Sequence, residues 1–261
     1  MSPPEPKEFL PGVPDWSTVH EPSGDLFKPI TDKDDWSKLM WTEEQRNKFW
    51  TDGVVTNVPL LSEEQCNRII NDYKYFTGEV EHPGMDMMYE YHSNQSGDPN
   101  NVLIHCLGHW RLTSLFHDLP FLPQIVVHVA LDDQSEENGG LYYIPKSHTW
   151  TRDGEPLPVL DFNFKDMESI KTILTEEELS QFKPVCAKLK KGEASFHHPL
   201  TVHGSYSNRS DRPRRSAVLN YFGDGVYSDS NEELLKGSIV PKGQKMEGQF
   251  YPLVFDPAWM K

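Results

Sequence analysis

The sequence predicts a mainly β domain with flanking helices, and three observations carry that expectation. The runs Gly192-Glu-Ala-Ser-Phe-His-His-Pro-Leu200 and Arg214-Arg-Ser-Ala-Val-Leu-Asn-Tyr-Phe222 alternate with the period of a strand. A third run, Gln124-Ile-Val-Val-His-Val-Ala-Leu-Asp-Asp133, is the clearest strand in the chain. Its alternation sets Ile125, Val127, Val129 and Leu131 on one face and Val126, His128 and Ala130 on the other. Outside these runs, Thr42-Glu-Glu-Gln45, Ser62-Glu-Glu-Gln65 and Thr175-Glu-Glu-Glu178 are capping boxes, each of which opens a helix.

In chain order, residues 1–40 are rich in proline and acidic residues and read as an irregular arm, wrapped on the rest through Phe9, Trp16 and Phe27. Residues 41–261 read as the folded domain. The first capping box opens an amphipathic helix through Phe49 and Trp50, which Asp52-Gly53 ends. Val54-Val-Thr-Asn-Val-Pro59 follows as a strand, and the second box starts a helix through Ile69, Ile70 and Tyr73. From Glu79 to Asn100 the pattern fades into a loop holding His82 and His92. Val102 to Pro123 places its apolar residues partly at helical spacing and is closed by prolines, so it reads as helical. Within it His105 and His109 lie one turn apart, beside Cys106, as a metal pair would. No acidic residue stands between them, and with His117 they read as packing or surface histidines.

After the strand ending at Asp133, Glu137-Asn-Gly-Gly140 is a loop whose glycines supply positive φ angles. Leu141-Tyr-Tyr-Ile144 is a short strand and Pro145-Lys-Ser-His148 a turn. Asp161 to Pro184 is a polar insertion with helical segments, and Lys188-Leu-Lys-Lys-Gly-Glu193 returns to the sheet. Beyond Phe222 no strong period remains, although Tyr251-Pro-Leu-Val-Phe255 and Trp259 can pack back onto the domain.

Composition narrows the function. A chain of 261 residues suits one domain with a sizeable core, and 13 Phe, 10 Tyr and 7 Trp favour a globular fold over disorder. The formal net charge of −15 argues against a nucleic-acid partner, because phosphate binding needs a basic footprint. A compact basic patch survives at Lys188, Lys190, Lys191, Arg209, Arg212, Arg214 and Arg215. It favours an acidic small molecule locally, while a solvated rim accounts for most of its members. Cys66, Cys106 and Cys186 lack Cys-x-x-Cys spacing and read as reduced thiols. The first residues lack an apolar signal core, no run is long enough to span a bilayer, and Ala258-Trp-Met-Lys261 is not a peroxisomal address. The expectation is a cytoplasmic protein with no membrane partner.

The chemistry gathers between His203 and Arg215. Asn208, Ser210, Asp211 and Pro213 are turn residues, so the flanking runs read as two antiparallel strands. A histidine stands near the end of the first and an arginine opens the second. A neutral imidazole is a good ligand for a divalent metal, and a guanidinium grips a carboxylate with two charge-assisted bonds. A metal chelated by a dicarboxylic acid would use both groups on one face. On these residues alone, a polar loop histidine and solvated arginines remain an equal alternative.

His203-Gly-Ser205 with an arginine eleven positions after the histidine, together with Ala130-Leu-Asp-Asp133, Glu137-Asn-Gly-Gly-Leu141 and Ile144-Pro-Lys-Ser-His148, resembles the phytanoyl-CoA dioxygenase family. The resemblance runs from about Val126 to Phe222, and more weakly through Asp52-Gly-Val-Val-Thr-Asn-Val58 and Leu61-Ser-Glu-Glu-Gln65. It implies a double-stranded β-helix, a cupin-like jelly roll, and an Fe(II)/2-oxoglutarate-dependent dioxygenase that hydroxylates a small organic substrate. It further implies that His203 is the distal iron ligand and that Arg214 pairs with the far carboxylate of 2-oxoglutarate. By the same resemblance Ser205 is a cosubstrate contact and His128 lines the cosubstrate pocket. The family commonly has glycine where Lys146 stands, so a left-handed backbone there would cost the lysine something.

The chain departs from the family at one place. No histidine is followed two positions later by Asp or Glu, so the His-x-Asp pair that completes the family's iron site is missing. In the family that pair lies on a strand between a pre-barrel helix and the Ala-Leu-Asp-Asp strand, and here the two nearly abut. This implies an internal deletion near 123–124 and an incomplete β-helix. An inactive shortened isoform or pseudoenzyme that keeps a ligand pocket is the alternative to an active dioxygenase, and a cupin-like small-molecule binding protein is a third.

Overall fold

In the computed structural model, residues 4–28, 34, 37, 40–76, 82–100, 102–121, 128–158, 166–233, 235–256 and 258 are described. In chain order they form strands β1 (Lys7–Leu10) and β2 (Val13–Asp15), helix α1 (Glu43–Asp52), strand β3 (Val54–Pro59) and helix α2 (Glu63–Phe76). Strands β4 (Glu90–His92) and β5 (His105–Leu107) follow, then the short helix α3 (Ser114–Asp118), β6 (His128–Ala130) and β7 (Leu141–Tyr143). The remainder comprises β8 (Thr151–Arg152), β9 (Glu155–Pro156), α4 (Glu176–Gln181), β10 (Val185–Cys186), β11 (Glu193–His197), β12 (His203–Ser205) and β13 (Ser216–Val218). No described helix is long and apolar enough to cross a membrane.

The chain divides into two compact units. One, made of Trp41–Asn67 and Val126–Asn220, holds two antiparallel sheets with strand orders β13-β6-β11-β3 and β10-β7-β12. Val54 and Ala130 of the first sheet share a buried cluster with Tyr143 of the second and with Ala187 and Leu189. The Tyr143 hydroxyl meets Ser195 Oγ at 2.8 Å, so the layers are joined by a buried polar link as well as by apolar packing. β6 is covered on both faces: His128, Val129 and Ala130 are all buried. Gly192, at φ +88°, lies so close to the segment that follows β3 that a Cβ there would stand 2.0 Å from the Leu61 carbonyl oxygen.

All three capping boxes form. Thr42 and Gln45 cap α1 reciprocally, as do Ser62 and Gln65 at α2 and Thr175 and Glu178 at α4. α1 is not the amphipathic helix expected, however, because none of its residues is buried and Trp50 is 68% exposed. Phe49 and Trp50 are consecutive and point in different directions, so only Phe49 reaches Trp41, whose ring stands edge-on to Phe196. Gly53 ends α1 in the left-handed conformation, at φ +75°.

The 192–200 and 214–222 runs do not pair with each other as the antiparallel strands expected. β11 and β13 both pair with β6, which lies between them, and His203 belongs to β12 in the opposing sheet. The chain leaves the first sheet after His197 through a turn pinned at Gly53, whose carbonyl accepts from His198 N and from Thr201 Oγ1, each at 2.8 Å. Of the run from 124 to 133, residues 124–127 lie outside the described part, and so does the 123–124 junction.

The other unit comprises Met1–Met40, Arg68–Ile125 and Tyr221–Lys261. Inside the arm, β1 and β2 pair as a hairpin rather than running irregularly; Phe9 is exposed, and Trp16 packs on His117 at 5.3 Å. Asp15 pairs with the buried Arg111, which also donates to the Met87 carbonyl at 2.8 Å and lies over the Phe250 ring. Val102 to Pro123 is not one helix. Gly108, at φ +101°, breaks it into β5, which pairs with β4 in the segment expected to be loop, and the short turns around α3. Trp259 lies outside the described residues.

Candidate functional site

β6, β7, β11, β12 and β13 bring His128, Tyr143, Ser195, His197, His203 and Arg214 into one region of the two-sheet unit. His203 opens β12 directly opposite Tyr143, their rings 5.9 Å apart. His203 Nδ1 lies 2.8 Å from the Thr201 carbonyl oxygen. A carbonyl only accepts, so Nδ1 carries the proton and donates, which leaves the Nε2 lone pair free. His203 is exposed on one side. His197, which no motif singled out, ends β11 with its ring 4.3 Å from that of His203. Burial, reinforced by His203, His128 and His198, drives the His197 imidazole down to about 3, and among the described residues its buried Nδ1 has no hydrogen-bond partner.

His128 is buried on β6, opposite Ser195 on one side and Val218 on the other. Its Nε2 meets Gln134 Oε1 at 3.0 Å. Burial lowers it to about 4 against the opposing pull of Gln134, and the charges of Arg214 and His203 lower it further. Arg214 is half-buried just before β13 and donates to Ser216 Oγ at 3.2 Å. Burial weakens its hold on the proton, and among the described residues no carboxylate pairs with it. Arg215 is differently placed: Asp132 accepts from its Nε at 2.8 Å and its Nη2 at 2.7 Å. Consecutive residues on an extended chain face opposite ways, so one arginine is tied to a carboxylate and the other turns toward the histidines. Ser205 ends β12 opposite Leu141 and is exposed.

His117 and His109 serve packing. His117 is buried, its Nε2 3.0 Å from the Glu21 carbonyl oxygen, and stacks with Trp110. His109 packs on Phe116 and Tyr73, and burial lowers it to about 4. All three cysteines are free. A shallow cleft lined by Tyr142, Tyr206, Glu136 and Arg209 lies over the face of β7 that Tyr142 presents, away from Tyr143 and His203.

An iron site of the two-histidine, one-carboxylate kind needs all three donors on one face. His203 offers a free Nε2 and His197 a second imidazole. Asp132, four residues after His128, is spent on Arg215. Among the described residues no three His, Cys, Asp or Glu side chains are placed to hold a metal ion. The described residues therefore do not complete that iron site.

Residues 114–216 match the family model described as phytanoyl-CoA dioxygenase (PhyH). The chain is 32% identical over 94 residues to the phytanoyl-CoA dioxygenase domain-containing protein 1 homolog of Caenorhabditis briggsae; the match covers 36% of this chain and only 33% of that relative. Among solved structures it is similar to the non-heme alpha ketoglutarate dependent epimerase SnoN from nogalamycin biosynthesis, with TM-score 0.52, 16% identity, and coverage of 82% of this chain and 98% of the other. The carbocyclase SnoK of the same biosynthesis gives TM-score 0.51, 15% identity, and coverage of 72% and 84%. At these identities the likeness shows the fold, the jelly roll of the 2-oxoglutarate oxygenases. The epimerase has also been solved in complex with Fe3+, alpha ketoglutarate and nogalamycin RO.

Proposed function

We propose that this chain, a phytanoyl-CoA dioxygenase-like protein over residues 114–216, has the architecture of an Fe(II)/2-oxoglutarate-dependent dioxygenase that hydroxylates a small organic substrate, and that it retains the half of the site that holds the cosubstrate. Fe(II) and 2-oxoglutarate are the cofactors of that class, and a solved neighbour in the same fold binds both the metal and the oxo acid. The observation that carries the proposal is the Arg214 guanidinium, half-buried near the neutral His128 and, among the described residues, without a carboxylate to neutralise it. A cation so placed is stabilised by an anion brought from outside, and its planar fork suits a carboxylate. His128, held neutral by burial, adds no competing negative charge, and the Tyr143 and Ser216 hydroxyls supply polar neighbours.

With the carboxylate ligand missing, turnover is not expected of this chain. An inactive form that keeps a ligand pocket is favoured by the same donor set. Calorimetric titration of 2-oxoglutarate should show binding that weakens at least tenfold in Arg214→Ala, about 1.4 kcal/mol, while Arg215→Ala leaves it nearly unchanged. Equal affinity in wild type and Arg214→Ala would refute the cosubstrate assignment. Succinate formed with Fe(II) present, and lost in both His203→Ala and Arg214→Ala, would refute the loss of turnover.

A further inference from the structure

We propose that His197 and His203 form a two-imidazole site for a late first-row divalent cation of the Zn2+ type. The inference depends on the function proposed above for placing a metal at His203, and departs from it in the partner ligand and in the ion. The partner is a histidine that ends β11, in place of a histidine and carboxylate on a strand of their own.

The geometry is specific to this pair. Hydrogen bonding of His203 Nδ1 to the Thr201 carbonyl at 2.8 Å fixes the tautomer and presents Nε2 as a lone pair, the outer-shell arrangement that orients metal-binding histidines. The His197 ring is 4.3 Å away, tilted by 48° so that the two do not stack face to face. Its Nδ1 is buried with no hydrogen-bond partner among the described residues, an unmet cost that a metal–nitrogen bond would remove. The link between the two histidines is short and held at both ends: Thr201 N donates to the His198 carbonyl at 2.9 Å, and Val202 N to Ser147 Oγ at 2.8 Å. The pair thus bridges the last residue of one sheet and the first of the other with little freedom to separate. An all-nitrogen donor set completed by water on the exposed side of His203 suits Zn2+, Cu2+ or Ni2+ better than Fe(II).

Other histidine pairs lack this combination. His148 and His198 are 5.2 Å apart, and His148 Nδ1 too is buried without a partner among the described residues, but the His198 Nδ1 lone pair is taken up by Leu200 N. His92 and His105 are 6.4 Å apart on an exposed ladder where Glu90 already holds His92 at 2.6 Å.

The test uses the full chain, titrated with Zn2+ by calorimetry and with Co2+ by visible absorption. One ion per chain is expected, bound at least tenfold more weakly by His197→Asn and by His203→Asn and unchanged in His148→Asn. Wild-type affinity in His197→Asn, or binding lost only in a His92→Ala/His105→Ala variant, overturns the inference. Should an asparagine variant fail to fold, 15N NMR of histidine-labelled wild type decides: Zn2+ must shift two imidazoles together, and a single shifted ring overturns the site. Titration of metal-free protein with 2-oxoglutarate separates the two proposals. If the oxo acid binds through Arg214 while Zn2+ does not bind, this inference fails alone. If Zn2+ binds through both imidazoles and the oxo acid does not, the cosubstrate assignment fails instead.

Discussion

Lys146 sits at φ +70°, a left-handed conformation that an L side chain rarely adopts, inside the Pro145-Lys-Ser-His148 turn. Its backbone N–H donates to the Asp52 carbonyl at 2.8 Å and its own carbonyl accepts from Thr149 N, so the turn is held despite the strain. Lys146→Gly relieves about 1–2 kcal/mol and adds about 0.5–1 kcal/mol of unfolded-chain entropy. The expected outcome is a net gain of up to about 1.5 kcal/mol in a urea melt, and a loss of stability in that variant would refute it. At this scale the sequence was uneven. The placement of Arg214 opposite Arg215 follows from strand alternation alone. His197 could not be found that way, because its partner His203 lies on another sheet and only the register across both layers brings them together.

Elements whose signals are local were the most legible. Each capping box is written within four residues, and all three form where the motif stands. Strand lengths and partners were not legible, because a run such as 214–222 contains nothing that says β6 will pair with only three of its residues. The α4 cap also sets an acid limit. Glu178 is gripped by Arg152 at 2.7 and 2.6 Å and accepts from Thr175 N; the arginine bonds outweigh burial and lower its carboxyl from 4.5 to about 2. A carboxyl depressed in the folded state stabilises fully above its unfolded value and loses that contribution as pH falls through the folded one. Wild type should therefore lose stability from about pH 4.5 down to about pH 2. Glu178→Gln should be less stable at neutral pH and flatter across that window. Parallel pH–stability curves for the two proteins would contradict this.

For the molecule as a whole, the fold class was readable from alternation and the jelly roll from the family motifs, while the division into two units left no mark in the sequence. In the two-sheet unit, β13 and β10 are edge strands, with Val218 57% and Val185 55% exposed. An apolar edge with unpaired N–H and C=O groups invites association with another chain. Each polar group buried without a partner costs about 1–3 kcal/mol, against a usual net stability of about 5–15 kcal/mol. The chain is expected to melt broadly and to scatter light increasingly with concentration. A longer form with a His-x-Asp strand inserted near 123–124 should melt cooperatively and release succinate. A sharp, concentration-independent melt of the 261-residue chain would disprove the structural half of that expectation.

The hydroxyl link between the layers has an optical consequence. Burial pushes the Tyr143 phenol well above its ordinary range, although its bond to Ser195 and the charge of Arg214 pull the other way. A phenolate absorbs in the near ultraviolet where a phenol does not. During a slow alkaline titration, the tyrosines near the surface would ionise first and Tyr143 would stay dark. Burial raises Tyr89 and Tyr221 as well, so the part of the late signal that is missing in Tyr143→Phe would mark the pH at which water first enters between the sheets.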